Sequence, residues 1–180
     1  MFKRLRADFN RHERKLSNMA VWVLAVYRYG RWAKELPQPV RFAADKVYHA
    51  LHLGVQITTG CYIPREVDIG ESPHLVHHFD IRIHPQVKIG DRVGIMHEVT
   101  IATTMHRLGA PTIGNDVFIG AGAKIVGPIK IGDGAVIAPN SLVINDVPAG
   151  ATAMGVPAKA LKIQMDTKSD WPTKPGQKAS

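Results

Sequence analysis

"IGNDVFIGAGAKIVGPIKIGDGAVIAPNSLV", residues 113–143, carries an aliphatic residue at every sixth position: Ile113, Ile119, Ile125, Ile131, Ile137 and Val143. Neither the 3.6-residue period of a helix nor the two-residue alternation of a strand produces that step. A parallel β-helix does, because each six-residue unit supplies one short strand and one corner, and the aliphatic side chains of successive coils stack into a continuous core. No single unit is stable alone, so the rows must run on to either side.

They do. Toward the N-terminus the same step links Ile57, Ile63, Ile69, Leu75 and Ile81, slips by two residues, and resumes through Ile83, Ile89, Ile95 and Ile101 before Arg107 breaks it. A glycine often follows the aliphatic residue (Gly70, Gly90, Gly114, Gly120, Gly132), as expected where the backbone turns tightly and positive φ is needed nearby. Both irregularities fall in chemically rich stretches: the slip within "HLVHHFDIRIHP" (74–85) and the lost position within "TMHRLGAPTIG" (104–114). A regular solenoid presents smooth faces, so its interruptions are the candidate site.

With 180 residues the chain holds one ordinary domain and an appendage, and 45% hydrophobic against 21% charged residues is a globular composition. Residues 1–46 carry eleven Lys/Arg against four acids, a balance of +7, which leaves +1 of the total +8 for the rest. No aromatic-interleaved nucleic-acid motif accompanies these cations, which argues against a nucleic-acid partner. The lone Cys61 has no partner for an internal disulfide, which fits the cytoplasm. The longest apolar run, Met19–Tyr27, is nine residues, about half of the ~20 needed to cross a bilayer. Two readings stay open for it: peripheral contact with the inner membrane surface, or packing on its own domain or a neighbouring subunit.

Residues 113–161, ending in Gly155-Val156-Pro157-Ala158-Lys159, resemble the hexapeptide-repeat acyltransferases. "IGAGAKIVG" (119–127) and "GIMHEVTIAT" (94–103) are most similar to serine acetyltransferases and their short relatives in polysaccharide O-acetylation, and "YRYGRWA" (27–33) is similar to a helical segment of that group. The resemblance implies a mainly β, left-handed parallel β-helix; periodicity itself carries no handedness. The expected organisation is a basic helical segment over 1–55, the β-helix over 56–163 and a polar tail over 164–180. The resemblance also implies a homotrimer, able to pair further, that uses acetyl-CoA as co-substrate to acetylate a hydroxyl of L-serine or of a sugar. Classical serine acetyltransferases have a much longer helical N-terminal domain than the 55 residues here.

Acetyl transfer from a thioester needs a base for the hydroxyl proton and donors for the developing oxyanion; a histidine near pH 7 suits the first task, and corner N–H groups the second. Aligned without gaps on the family pattern, His77 takes the place of the catalytic base, with His78 beside it as neighbour or alternate. The family's orienting aspartate falls on Tyr62, so Asp80 or Asp68 is needed in its stead. His106, in a Thr-x-His stretch like that of the galactoside and antibiotic acetyltransferases, is the rival base. His97, Glu98 and Tyr62 are read as substrate contacts, and His84, before Pro85, as a turn residue. For acetyl-CoA the resemblance points to Thr103, Gly120, Ala121, Gly122, Ala138 and Lys159. No metal is expected: the γ-class carbonic anhydrases on this fold pair histidines four residues apart, and no His-x4-His occurs here. The alternatives are an N-acetyltransferase of a nucleotide-linked amino sugar and a zinc protein of the carbonic anhydrase type.

Overall fold

The computed structural model describes residues 2–12, 14–15, 17–105 and 107–161. Three helices, α1 (Phe2–Arg11), α2 (Met19–Ala33) and α3 (Val40–Thr59), precede a solenoid of short strands. The strands form three sheets that the chain visits in rotation. The first joins β1 (Asp68–Ile69), β4 (Lys88–Ile89), β7 (Thr112–Ile113) and β10 (Lys130–Ile131). The second joins β2 (His74–Leu75), β5 (Gly94–Ile95), β8 (Phe118–Ile119), β11 (Val136–Ile137), β13 (Thr152–Gly155) and β14 (Ala158–Leu161). The third joins β3 (Arg82–Ile83), β6 (Thr100–Ala102), β9 (Lys124–Val126) and β12 (Leu142–Val143). All pairings are parallel except the closing β13–β14 hairpin.

Register places like on like: Ile69, Ile89, Ile113 and Ile131 stack in the first sheet, as do Ile95, Ile119 and Ile137 in the second. These side chains are buried, as the step of six requires. A second inward row lies four residues after each: Val87, Val93, Val99, Val117, Ala123, Ile129 and Ala135 are buried too. The row does not extend back to Ile57. That residue lies on α3, 77% exposed, and stacking begins at Ile63.

The positive φ expected near the corner glycines is present, and the glycines themselves meet a further need. Positive φ falls two residues later, at Ser72, Arg92, Asp116, Gly122 and Gly134. At Gly90 a Cβ would come within 2.7 Å of the Gly114 backbone, so the glycine admits the next coil.

The helices close the open N-terminal end of the solenoid. On α2 the Tyr27 hydroxyl donates to the Val67 carbonyl (2.8 Å) and accepts from Ile69 N–H (3.2 Å), while Arg28 donates to the carbonyls of Ile69 and Gly70 (3.0 and 2.7 Å). "YRYGRWA" therefore satisfies the edge strand β1, which would otherwise offer unpaired backbone groups to another chain. Ala20, Val21, Val23, Leu24, Val26 and Tyr27 are buried, so most of the apolar run Met19–Tyr27 packs on its own domain, while Trp22 is 48% exposed.

Candidate active site

The two-residue slip has a definite location. Leu75 pairs with Ile95, and the Val76 N–H donates to the Ile95 carbonyl (3.0 Å), which sets Val76 opposite Met96. From the other side, Arg82 pairs with Thr100, and the Glu98 N–H donates to the Phe79 carbonyl (2.9 Å), which sets Phe79 opposite His97 and Asp80 opposite Glu98. His77 and His78 are thus the two inserted residues, at the corner between the second and third sheets. The rest of the corner is an ordinary turn whose left-handed residues, Gly60, Asp80, Glu98, Gly122 and Asn140, stack from coil to coil.

The insertion is pinned from below by Cys61, whose buried thiol donates to the His78 carbonyl (2.8 Å). Burial pushes the Cys61 thiol above its ordinary pKa, which keeps it a donor. His77 is exposed, and its ring lies edge-on to that of His97 with centroids 5.5 Å apart. His78 is half-buried against the Phe79 ring at 4.5 Å; burial first, and then the charge of His77, lower its pKa. The Nδ1 of His97 is buried and, among the described residues, has no hydrogen-bond partner. Lys124, which sequence reasoning passed over, brings a cation to this corner by donating to the Glu98 carbonyl (2.6 Å). Its only signal was its place on a strand end one coil away.

Among the described residues, each expected substitute for an orienting carboxylate pairs with an arginine. Asp80 Oδ1 accepts from Arg82 Nε (2.8 Å), and Asp68 faces Arg31 (3.5 Å). Tyr62 pairs with Arg82 on the third sheet, its ring 5.6 Å from that of His52. Glu98 is exposed at the corner beside His97. His84 accepts from the Gln86 N–H (3.3 Å), the turn role expected of it. Among the described residues, no three His, Cys, Asp or Glu side chains gather as a metal site would require.

The second irregularity leaves the solenoid at a different corner, between the third and first sheets, after β6. Its feet pack on the following coil: a Cβ on Gly109 would lie 2.9 Å from Pro128, and one on Gly127 3.6 Å from Thr104. Thr103 opens this excursion, and Met105 and Leu108 are fully exposed on it. His106 lies outside the described residues. The His77–His78 insertion and the excursion after β6 therefore leave one protomer at separate corners.

Residues 110–145 match the bacterial transferase hexapeptide family of six repeats. A serine acetyltransferase of Helicobacter pylori is 38% identical over 117 residues, an alignment covering 64% of this chain and 68% of that protein. The chain belongs to the serine acetyltransferase family. A Synechococcus elongatus member is 30% identical over 174 residues, covering 89% of this chain and 69% of its own length. Among solved structures, soybean serine acetyltransferase complexed with serine superposes with a TM-score of 0.72 at 30% identity, over 88% of this chain and 68% of that one. Brucella abortus serine acetyltransferase in complex with coenzyme A gives 0.74 at 25% identity, over 89% and 67%. The solenoid is accordingly the left-handed β-helix of this family.

The residues that the family pattern assigns to the co-substrate lie mostly on the coils after the insertion. Gly120, Ala121 and Gly122 form the corner above His97 and Glu98, with Gly122 N–H donating to the His97 carbonyl (3.0 Å). Packing accounts for Gly120, where a Cβ would meet Pro139 N at 2.7 Å, and backbone conformation for Gly122, whose φ is +71° and whose near neighbour is the flexible Asn140 side chain. Ala138 follows β11, its N–H donating to the Ala153 carbonyl (2.9 Å). Lys159 is exposed on the terminal hairpin opposite Met154.

Proposed function

We propose that this chain transfers the acetyl group of acetyl-CoA to the hydroxyl of L-serine, with His77 as general base. The observation that carries the reading is the His77–His78 insertion in a serine acetyltransferase-family coil: the pair has no counterpart on the next coil, and among the described residues no hydrogen bond engages the exposed His77 ring. The serine hydroxyl oxygen attacks the thioester carbonyl while a His77 nitrogen takes its proton. The tetrahedral intermediate then expels the coenzyme A sulfur, which receives that proton, as the C–S bond breaks. Corner N–H groups are the available oxyanion donors. Acetyl-CoA supplies the thioester; Gly120, Ala121, Gly122, Ala138 and Thr103 offer a groove of small side chains to its pantetheine arm, and Lys159 a cation to its phosphates.

Among the described residues no carboxylate is hydrogen-bonded to His77, which supports a second reading of the acceptor. The family's orienting position is Tyr62, and Asp80 is engaged by Arg82. The adjacent histidines resemble the short polysaccharide relatives, so a sugar hydroxyl is the alternative acceptor on the same machinery. A homotrimer would allow the loop bearing His106 to approach the His77 corner of a neighbouring protomer.

The test is thiol release from acetyl-CoA with L-serine, nucleotide sugars or oligosaccharides, for the wild type, His77→Ala and His106→Ala. Serine-dependent release that falls by about 10² or more in His77→Ala supports the reading. Release only with sugars moves the acceptor. A fall confined to His106→Ala moves the base to the loop.

A further inference from the structure

The helix α3 (Val40–Thr59) buries Ala44, Tyr48, His52, Val55 and Thr59, the three- and four-residue spacing of one helical face. On a helix packed at a protein surface the opposite face is ordinarily polar. Here it is apolar: Phe42, Leu53 and Ile57 are 63%, 57% and 77% exposed, with Val47 exposed alongside. Together with Lys46 they follow one line along the helix, so the exposure is a continuous stripe rather than scattered side chains.

The charge on this stripe has one sign. Lys46 holds its ammonium 5.4 Å over the Phe42 ring, and the helix's single acid, Asp45, is engaged by Arg65 and by Arg41 (3.7 Å). A second copy of the same face would meet Lys46 with an apolar, cationic surface that has no carboxylate to receive it. An anionic lipid surface suits it better, since apolar side chains enter the acyl boundary while the long lysine stem lifts its charge to the phosphates. The surrounding chain has the same sign, with +7 over residues 1–46. Among the described residues no helix is long and apolar enough to cross a membrane, which makes the contact peripheral. We infer that α3 is the face by which this protein docks on an anionic lipid bilayer, with Phe42, Leu53 and Ile57 inserted and Lys46 at the headgroups.

Co-sedimentation of the full chain with phosphatidylcholine vesicles, with and without phosphatidylglycerol, tests this, alongside light-scattering mass. The protein should pellet only with the anionic vesicles, less so in high salt. Phe42→Ser/Ile57→Ser and Lys46→Glu should each lower the bound fraction about tenfold, with circular dichroism and mass unchanged. Because these side chains are exposed, the variants should fold. A Lys3→Ser/Arg6→Ser variant of α1 serves as the control and should keep most of the binding. The inference is overturned if the wild type ignores anionic vesicles or if the α3 variants bind like the wild type. It is also overturned if Phe42→Ser/Ile57→Ser lowers the mass of the particle, which would make the stripe a contact between copies.

Discussion

The ring of His77 meets that of His97 edge-on, 5.5 Å between centroids, although the two are twenty residues apart and His97 has no counterpart of its kind on the next coil. The contact exists because the two-residue insertion sets His77 beside a corner that the regular coil would have filled with Phe79 alone. A second imidazole beside it holds His77 through ring contact alone, whereas a carboxylate would also fix its tautomer. His97→Gln should therefore lower kcat/KM for the acceptor by about tenfold and shift the pH–rate profile, against about 10² or more for His77→Ala. Equal losses in both variants would make His97 a partner in proton transfer.

His78 is expected to matter less. Its carbonyl holds the insertion through Cys61, a contact that survives side-chain replacement, and its ring rests on Phe79. His78→Asn should keep activity within about tenfold of the wild type. Burial and the charge of His77 both lower the His78 pKa, so the His78 ring should titrate below the ordinary imidazole value. Chemical shifts of the His78 ring followed against pH check that direction.

The solenoid was legible because inward side chains of successive coils must be alike, and Ile113, Ile119, Ile125, Ile131 and Ile137 are. Ile57 misled because one aliphatic residue at the right distance is indistinguishable from a row, and a helix can place it there by accident. The second inward row escaped notice because its valines and alanines do not contrast with their neighbours. The slip announced His77 and His78, but their surroundings were not readable. Asp80 turns to Arg82, and His97 reaches His77, by register alone, which a linear reading does not supply.

His12, outside every motif, fastens the N-terminal segment to the site-bearing coil. It is buried, with Nδ1 2.8 Å from the Asp8 carbonyl and Nε2 accepting the Leu75 N–H at 3.2 Å. Those partners require the neutral ring with its hydrogen on Nδ1, because a proton on Nε2 would face the Leu75 N–H. Burial accordingly lowers its pKa below that in the unfolded chain. The sign follows: the unfolded chain takes the proton more readily, so this stability is present above the unfolded value of about 6.5 and drains as pH falls below it. Urea midpoints should drop between about pH 8 and about pH 5.5. His12→Ala should cost about 1–3 kcal/mol at pH 8 and flatten, without abolishing, the slope, since burial also lowers the pKa of His52.

Asp8 and Arg28 form a buried pair, Arg28 Nε donating to Asp8 Oδ2 at 2.9 Å, with side chains 1% and 3% exposed. Arg28 also caps β1 through the Ile69 and Gly70 carbonyls, so the acid neutralises a cation that the solenoid end needs for its geometry. Asp8→Ala leaves that charge buried and should cost about 3–5 kcal/mol. Asp8→Leu with Arg28→Met should recover part of the loss in urea denaturation. If it does not, the carbonyl contacts dominate over the ion pair.

Gly120 separates packing from co-substrate binding. An alanine Cβ there would lie 2.7 Å from Pro139 N and 2.9 Å from the Ile137 carbonyl oxygen, both backbone atoms of the next coil, so no side chain can swing aside. Relief requires β8 and β11 to part where Gly120 N–H donates to Ile137 (2.8 Å), and overpacking of this kind costs about 1–3 kcal/mol. Gly134 is the control: nothing lies within 4 Å of its Cβ position, but φ is +66°, so alanine there should cost about 1–2 kcal/mol from backbone conformation alone. If Gly120 serves the stack, Gly120→Ala melts earlier by the same margin with and without saturating acetyl-CoA, while KM for acetyl-CoA moves little in the folded fraction. An unchanged melting temperature with a raised KM would mean that the glycine is there for the pantetheine, and that the coils tolerate a methyl group the geometry says they cannot.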